Sequence, residues 1–220
     1  MIVIRLGIPS VDGKYSKESI VLVDKVQHEK FADIQWQYRS VADCYCNFYA
    51  RNKLIYDMNN NYENFGHWTK DWQAPYDYFL SADDDTGFTV QAVRAMVSMS
   101  RSVYNNAIIA GAYVSRWNKD VIVAGQQIDS GKFHCMSLDE YKKLTTFPYQ
   151  VAWAGNGMLL IPAKILNTMP IPLYQHSECE TQHGERSWYH SDQALALLCV
   201  KREVPIYLSG ETAIHCGVKI

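Results

Sequence analysis

Along the first half of the chain, apolar positions switch repeatedly between strand-like and helix-like spacing. Ile2–Ile8 is a short apolar run that predicts a buried first strand. Ser16 precedes Ile20, Leu22, Val23 and Val26, a spacing that predicts a serine-capped helix. Ile34, Trp36 and Tyr38 alternate with polar residues, as in a half-buried strand. The stretch from Asn47 to Asn59 has a helical pattern and ends in the turn-prone Asn59-Asn60-Asn61. After a loop containing Gly66 and Pro75, Tyr76–Ala82 predicts a buried strand running straight into Asp83-Asp84-Asp85. Thr89 caps a predicted amphipathic helix carrying Val90, Val93, Met96 and Val97, and Ala107–Val114 reads as the next strand.

Such alternation predicts the α/β class, a mostly parallel central sheet with helices on both faces. Ligands of such sheets bind beyond the carboxyl ends of strands, where helix N-termini also point. The three aspartates stand at such an end. The second half is less regular. Ser137 precedes a predicted short helix, Leu138–Leu144, and Val151–Trp153 and Met158–Ile161 read as strands around Gly155-Asn156-Gly157. Pro162 suits a first helical turn. A polar segment, His176–Tyr189, leads to Ser191, the predicted cap of a helix over Asp192–Arg202, and short strands are expected near Ile206–Leu208 and Ala213–His215. The whole reads as a single domain with a nucleotide-binding half and a substrate-facing half.

Composition narrows the classes. With 48% hydrophobic and 20% charged residues, the 220-residue chain is globular and not disordered. No run approaches the ~20 apolar residues of a membrane span. Arg5 and Pro9 interrupt the apolar start and no small-residue cleavage site follows, so a signal peptide is not expected. A net charge of -2 argues against a dedicated nucleic-acid binder. The six cysteines include no C-x-x-C, and Cys44-x-Cys46 is too close for a zinc knuckle, so reduced thiols and a cytoplasmic location are expected. Fifteen Tyr and six Trp exceed what a core asks for, and aromatic faces commonly line sugar or base pockets.

Asp83-Asp84-Asp85 has two readings: a solvated turn, or a cation site. Three adjacent carboxylates repel one another, and a divalent ion with phosphate oxygens completing its shell removes that repulsion. Rival aspartate motifs fail on spacing. An EF-hand counted from Asp83 has Phe88 where glycine is needed and Arg94 where Glu is needed. A haloacid-dehalogenase D-x-D-x-T would have its Thr one place later and would follow the first strand. His215, before Cys216-Gly217, is a structural histidine or a metal ligand. Asp192 is a dipole-favoured helix cap or a proton acceptor. Arg51-Asn52 is an exposed polar pair or a phosphate clamp. Gly155-Asn156-Gly157 can bring backbone close to a ligand but lacks dinucleotide-binding, P-loop or nucleophile-elbow spacing. His176, Cys179, His183 and His190 fit no compact zinc pattern.

In order, these pieces resemble the GT-A-fold glycosyltransferases, and among them glycosyltransferase family 2. Ile4-Arg5-Leu6-Gly7-Ile8-Pro9-Ser10 is similar to that family's first strand and base-binding loop, and Tyr49-Ala50-Arg51-Asn52 to the helix before its metal motif. Tyr78–Asp85 resembles the D-x-D strand, and Ala154–Ile161 the glycine-containing strand lining the donor sugar. Ser191-Asp192-Gln193 resembles the acidic motif of the late helix, with Ser191 replacing the usual Glu. His215-Cys216-Gly217 resembles the late H-x-G of members with a histidine metal ligand.

The resemblance implies one GT-A-like domain over 1–220, with about 1–110 holding nucleotide and metal and about 111–220 facing the acceptor. It implies transfer of a sugar from a nucleotide-diphosphate donor, a UDP-sugar favoured, to a hydroxyl acceptor. Mn²⁺, or Mg²⁺, would be held by Asp85 and His215 with help from Asp83. Ile8, Pro9 and Ser10 would hold the base, Asp84 would reach the ribose and Arg51 the diphosphate. Asp192 would be the general base of an inverting enzyme; a retaining enzyme and a non-catalytic sugar- or nucleotide-binding module are the alternatives. Trp153, Gly155, Asn156, Gly157 and Trp188 would line the sugar or acceptor site, with Trp153 and Trp188 equally able to be core. His176–Tyr189 would be a lid that excludes water.

Overall fold

Capping and alternation account for the elements of the computed structural model, which describes residues 1–10, 13–28, 31–42, 47–56, 72–102, 104, 106–129, 132–175, 178–180, 186–188, 190–215 and 217. In chain order these are β1 (Ile2–Pro9), α1 (Lys17–His28), β2 (Ile34–Val41), α2 (Asn47–Tyr56), β3 (Tyr78–Ala82), β4 (Thr86–Gly87), α3 (Val90–Ser102) and β5 (Ile108–Ala112). Then come β6 (Val121–Asp129), β7 (Lys132–Ser137), α4 (Leu138–Lys142), β8 (Tyr149–Val151), β9 (Trp153–Ala154), β10 (Met158–Pro162) and α5 (Ala163–Leu166). Last are β11 (Glu178–Glu180), β12 (Arg186–Trp188), α6 (Ser191–Lys201), β13 (Ile206–Thr212) and β14 (Ile214–His215). Three helices start at the hydroxyl caps expected of them. Ser16 Oγ accepts from the Ser19 N–H at 3.2 Å, Thr89 Oγ1 from Ala92 at 3.1 Å, and Ser137 forms a full capping box with Glu140.

The central sheet has seven strands in the order β2-β1-β3-β10-β5-β13-β8. β1, β2, β3, β5 and β13 share one direction; β10 runs antiparallel between β3 and β5, and β8 antiparallel along β13. The α/β class and the five same-direction strands agree with the alternation of elements. The reversed β10 in the middle does not follow from that alternation. A separate hairpin, β6 with β7, pairs with β9 and fills the stretch 121–137, for which the sequence reading has no strand.

Period-two burial divides the core between the two faces. Ile4, Leu6 and Ile8 of β1, Tyr78, Leu80 and Ala82 of β3, and Met158 and Leu160 of β10 pack with Leu22 and Val26 of α1 and Val93 and Met96 of α3. On the other face, Phe79, Ile108, Ala110, Leu159 and Ile161 pack with Leu54 and Ile55 of α2, Ile165 of α5 and Leu195 of α6. The central strands β5 and β10 are therefore apolar at every position, and β1 and β3 at all but Arg5 and Ser81. Each fully buried Ile or Leu contributes roughly 1.5–3 kcal/mol. Among the described residues no helix is long and apolar enough to cross a membrane. Cys135 and Cys199 are free thiols.

Candidate active site

Sheet parity continues into the acidic turn. Phe79 and Ser81 face α2, and Asp83 follows them to that side, where Arg51 of α2 bonds both Ser81 Oγ, at 2.6 Å, and Asp83 Oδ1. Asp84 turns to the opposite side and bonds Ser10. Burial holds the Asp84 carboxyl above the usual aspartate value, and the charge of Asp83 adds to the effect. The start of α1 grips the backbone of the turn. Ser19 Oγ donates to the carbonyls of Thr86, at 2.8 Å, and Asp83, at 3.3 Å, and the Ser16 N–H donates to that of Asp84 at 2.7 Å. Gly87 permits this docking, because a Cβ there would lie 2.5 Å from Glu18 Cβ.

β14 brings the far end of the chain to the same place. It pairs antiparallel with β4, setting His215 opposite Thr86. His215 Nδ1 lies 2.7 Å from the Val114 carbonyl, which can only accept, so Nδ1 carries a proton. Nε2 then faces Asp85 Oδ1 at 3.3 Å, and the Tyr113 ring packs edge-on against the imidazole. An imidazole lone pair directed at a carboxylate oxygen calls for a cation between them, either a proton or a metal ion. One ion with bonds of about 2.1 Å reaches both atoms across that gap. The pair supplies two of the donors that a metal ion would need. Among the described residues no group of three or more His, Cys, Asp or Glu could hold a metal ion by itself. Arg116 of the β5–β6 connection bonds the other Asp85 oxygen, Oδ2.

Arg51, the diphosphate clamp of the sequence reading, is turned to the acidic run itself. Its side chain is only 3% exposed and committed to Ser81 and Asp83, so it anchors the acidic turn. Arg51→Met leaves Asp83 without its buried counter-charge. Asp83 is 29% exposed, which moderates the cost, and a loss of about 2–4 kcal/mol in urea unfolding is expected. Ile8 is packed in the core. Pro9 is buried too, and Ser10, 3% exposed, donates its N–H to Val41 and its Oγ–H to the Lys14 carbonyl.

α6 begins one residue earlier than the cap reading places it. His190 is the N-cap, without a side-chain bond, and Ser191 is inside the helix, where its Oγ accepts from Asn156 Nδ2 at 3.3 Å. Tyr174 Oη donates to Asn156 Oδ1 at 2.8 Å, so a buried Tyr174–Asn156–Ser191 chain pins the start of α6 and with it Asp192. Burial raises the Asp192 pKa above 3.8, against a lowering backbone bond from Gln193 and the nearby Arg51 charge; Asp83 repels it. Although Asp192 stands in the first turn of α6, desolvation is the largest influence on its carboxylate.

Gly155-Asn156-Gly157 approaches protein, not open space. A Cβ on Gly155 would sit 2.0 Å from Tyr113 Oη, and the Gly157 N–H donates to that same oxygen at 2.9 Å. Tyr113 is buried and cannot step aside, so Gly155→Ala should cost ~1–3 kcal/mol by overpacking, read as a fall in Tm. Trp153 is a core residue, 4% exposed, with its indole N–H donated to the His134 carbonyl. The side chains of Cys179 and Trp188 and most of the expected lid, including His176 and His183, lie outside the described residues, as do Cys44, Cys46 and Cys216. Described cavities of about 590, 420 and 460 Å³ lie between α6 and β8 or at the opposite end of the sheet, away from the acidic turn.

No protein-family profile matches the chain, and no curated protein matches it by sequence. Solved structures do match. A197 from STIV has a TM-score of 0.57 at 14% identity, over 98% of this chain and 85% of that one. GalNAc-T7, solved with UDP, GalNAc and Mn²⁺, has a TM-score of 0.55 at 8% identity over 94% of this chain. The fold is glycosyltransferase-like. This chain spans only 42% of the GalNAc-T7 chain, and at these identities the likeness is one of backbone alone. Within the glycosyltransferase-like sheet, the acidic turn occupies the carboxyl end of β3, next to that of β1.

Proposed function

We propose that the protein is a metal-dependent glycosyltransferase, similar to family 2, moving a sugar from a nucleotide-diphosphate donor such as a UDP-sugar to a hydroxyl acceptor. The observation that supports the reading is that His215 from β14 lies against Asp85 of the acidic turn, with Asp192 from α6 within electrostatic reach of Asp83 and Arg51, on a glycosyltransferase-like fold. Residues from about 1–110 would form the nucleotide half and about 111–220 the acceptor half, with His215 reaching from the second to the acidic turn of the first.

Asp85 and His215 would hold Mn²⁺, which a mixed oxygen and imidazole pair suits better than Mg²⁺, and the ion's Lewis acidity would stabilise charge on the departing diphosphate. The chain's own residues do the rest. Arg51 fixes Asp83 toward the ion or ribose, and Asp84, braced by Ser10, lies on the nucleotide side. Asp192 takes the acceptor's hydroxyl proton while the acceptor oxygen bonds the anomeric carbon. The anomeric C–O bond breaks, and its electron pair leaves with the diphosphate, inverting the centre. A carboxylate with raised proton affinity is a better base for an alcohol than an ordinary aspartate. Gly155, Asn156 and Gly157 would support the sugar side from behind.

Incubation with a panel of nucleotide sugars, with and without Mn²⁺, tests the reading, with product anomers followed by NMR. Mn²⁺-dependent consumption of one donor is expected. Tight nucleotide binding without turnover of any donor would make the protein a non-catalytic module, and retained configuration would remove Asp192 as the base.

A further inference from the structure

A diphosphate-binding site must supply positive charge, and Arg51, the cation expected to do so, is buried and committed to Asp83. Arg116 is placed differently. Its guanidinium bonds Asp85 Oδ2, yet its side chain is 50% exposed against 15% for Asp85. It therefore lies at the solvent side of the carboxylate that faces His215. Its charge also reaches Asp84.

The backbone beneath it is well braced. Ser115 N–H donates to the Val121 carbonyl at 2.8 Å, and Val121 N–H donates to that of Asn118 at 3.1 Å. Trp117 N–H donates to Ser115 Oγ at 3.2 Å, and Val114 bridges to Ile122. The Val114 carbonyl that orients His215 is two residues before Arg116, so imidazole and guanidinium are set by one piece of backbone. A guanidinium has five N–H donors in a planar fork, and the bond to Asp85 uses one of them. The geometry suits simultaneous contact with a carboxylate on one side and phosphate oxygens on the other.

We propose that Arg116 is the diphosphate-binding cation of this site, bonding Asp85 and the phosphate oxygens of a nucleoside diphosphate together. The assignment rests on the glycosyl-transfer reading. It makes the β5–β6 connection part of the donor site, a segment to which the sequence reading gives no role.

Titration calorimetry with UDP, UMP and uridine in the presence of Mn²⁺, on wild type, Arg116→Gln and Arg116→Lys, tests it. Arg116→Gln should weaken UDP binding about tenfold, the size of one lost charge-assisted contact, and leave uridine unchanged. Arg116→Lys should recover part of the loss, since it keeps the charge without the fork. Binding of Mn²⁺ alone, followed by electron paramagnetic resonance, should be equal or tighter in Arg116→Gln, because a like charge is removed from the ion's neighbourhood. Unchanged UDP affinity, an equal loss for uridine, or weaker Mn²⁺ binding in Arg116→Gln would each overturn the assignment; the last would mean that Arg116 only orients Asp85. These failures differ from failure of the transferase reading, in which wild type itself binds no UDP; that result removes both.

Discussion

Asp192→Asn should lower sugar transfer by about 10²–10⁴-fold while raising thermal stability at neutral pH. The opposite signs come from one cause. Asp192 binds its proton more tightly in the folded chain than in the unfolded one, chiefly because burial strips water from the carboxylate. A raised folded-state pKa means that stability falls as pH rises from the unfolded value of 3.8 to the folded one, and above both the full penalty is present. Asparagine carries no charge to desolvate and still accepts from the Gln193 N–H, as Asp192 Oδ1 does at 2.9 Å. The same displacement sets the acid limb of kcat/KM. Activity should fall, as pH drops, at a higher pH than an ordinary aspartate would give, and that limb should vanish in the residual activity of Asp192→Asn. Thermal melts and a pH–rate profile check both halves. A variant with lower stability and an unchanged rate would make Asp192 a structural cap.

Asp85→Ala should reduce Mn²⁺-dependent donor turnover to background and weaken binding of Mn²⁺ itself, while the far-ultraviolet circular dichroism stays that of the wild type. Asp85 faces His215 at the turn, and among the described residues no group of three or more His, Cys, Asp or Glu could hold a metal ion in its place. The cost to the fold is small in comparison. Its partner Arg116 is half exposed, and an ion pair with such a partner contributes about 0–1 kcal/mol. The backbone of the turn is held by Ser16 and Ser19, which the substitution leaves untouched. Undiminished Mn²⁺-dependent transfer would remove the metal assignment.

Much of the architecture is legible along the chain because its causes are local. Ser16, Thr89 and Ser137 satisfy N–H groups three residues ahead, so three helix starts are written within a single turn. The carboxylate run after a buried, mostly apolar strand is visible for the same reason. The β6–β7 hairpin has a readable signal that the sequence reading passes over: the apolar Val121–Ala124, the turn-prone Ser130-Gly131, and Phe133 and Cys135 alternating with polar residues in Lys132–Ser137. Ser191 shows the limit of cap reading. A serine before an aspartate looks like a cap, yet a buried Asn156 amide takes its hydroxyl and the helix begins at Ser191 itself.

By itself the sequence determined the α/β class, the carboxylates at the end of β3 and the candidacy of Asp192 and His215, because alternation, capping and charge crowding act over a few residues. Only the tertiary structure decided how those pieces meet. It set β10 antiparallel inside the sheet, buried Arg51 against Asp83, and used the β14–β4 ladder to bring His215 beside Asp85. It also assigned Gly155 and Gly157 to the packing of Tyr113 and put Arg116 on the second oxygen of Asp85. Strand order, sheet parity and long-range pairing depend on which distant surfaces bury each other best, and no local spacing carries that information.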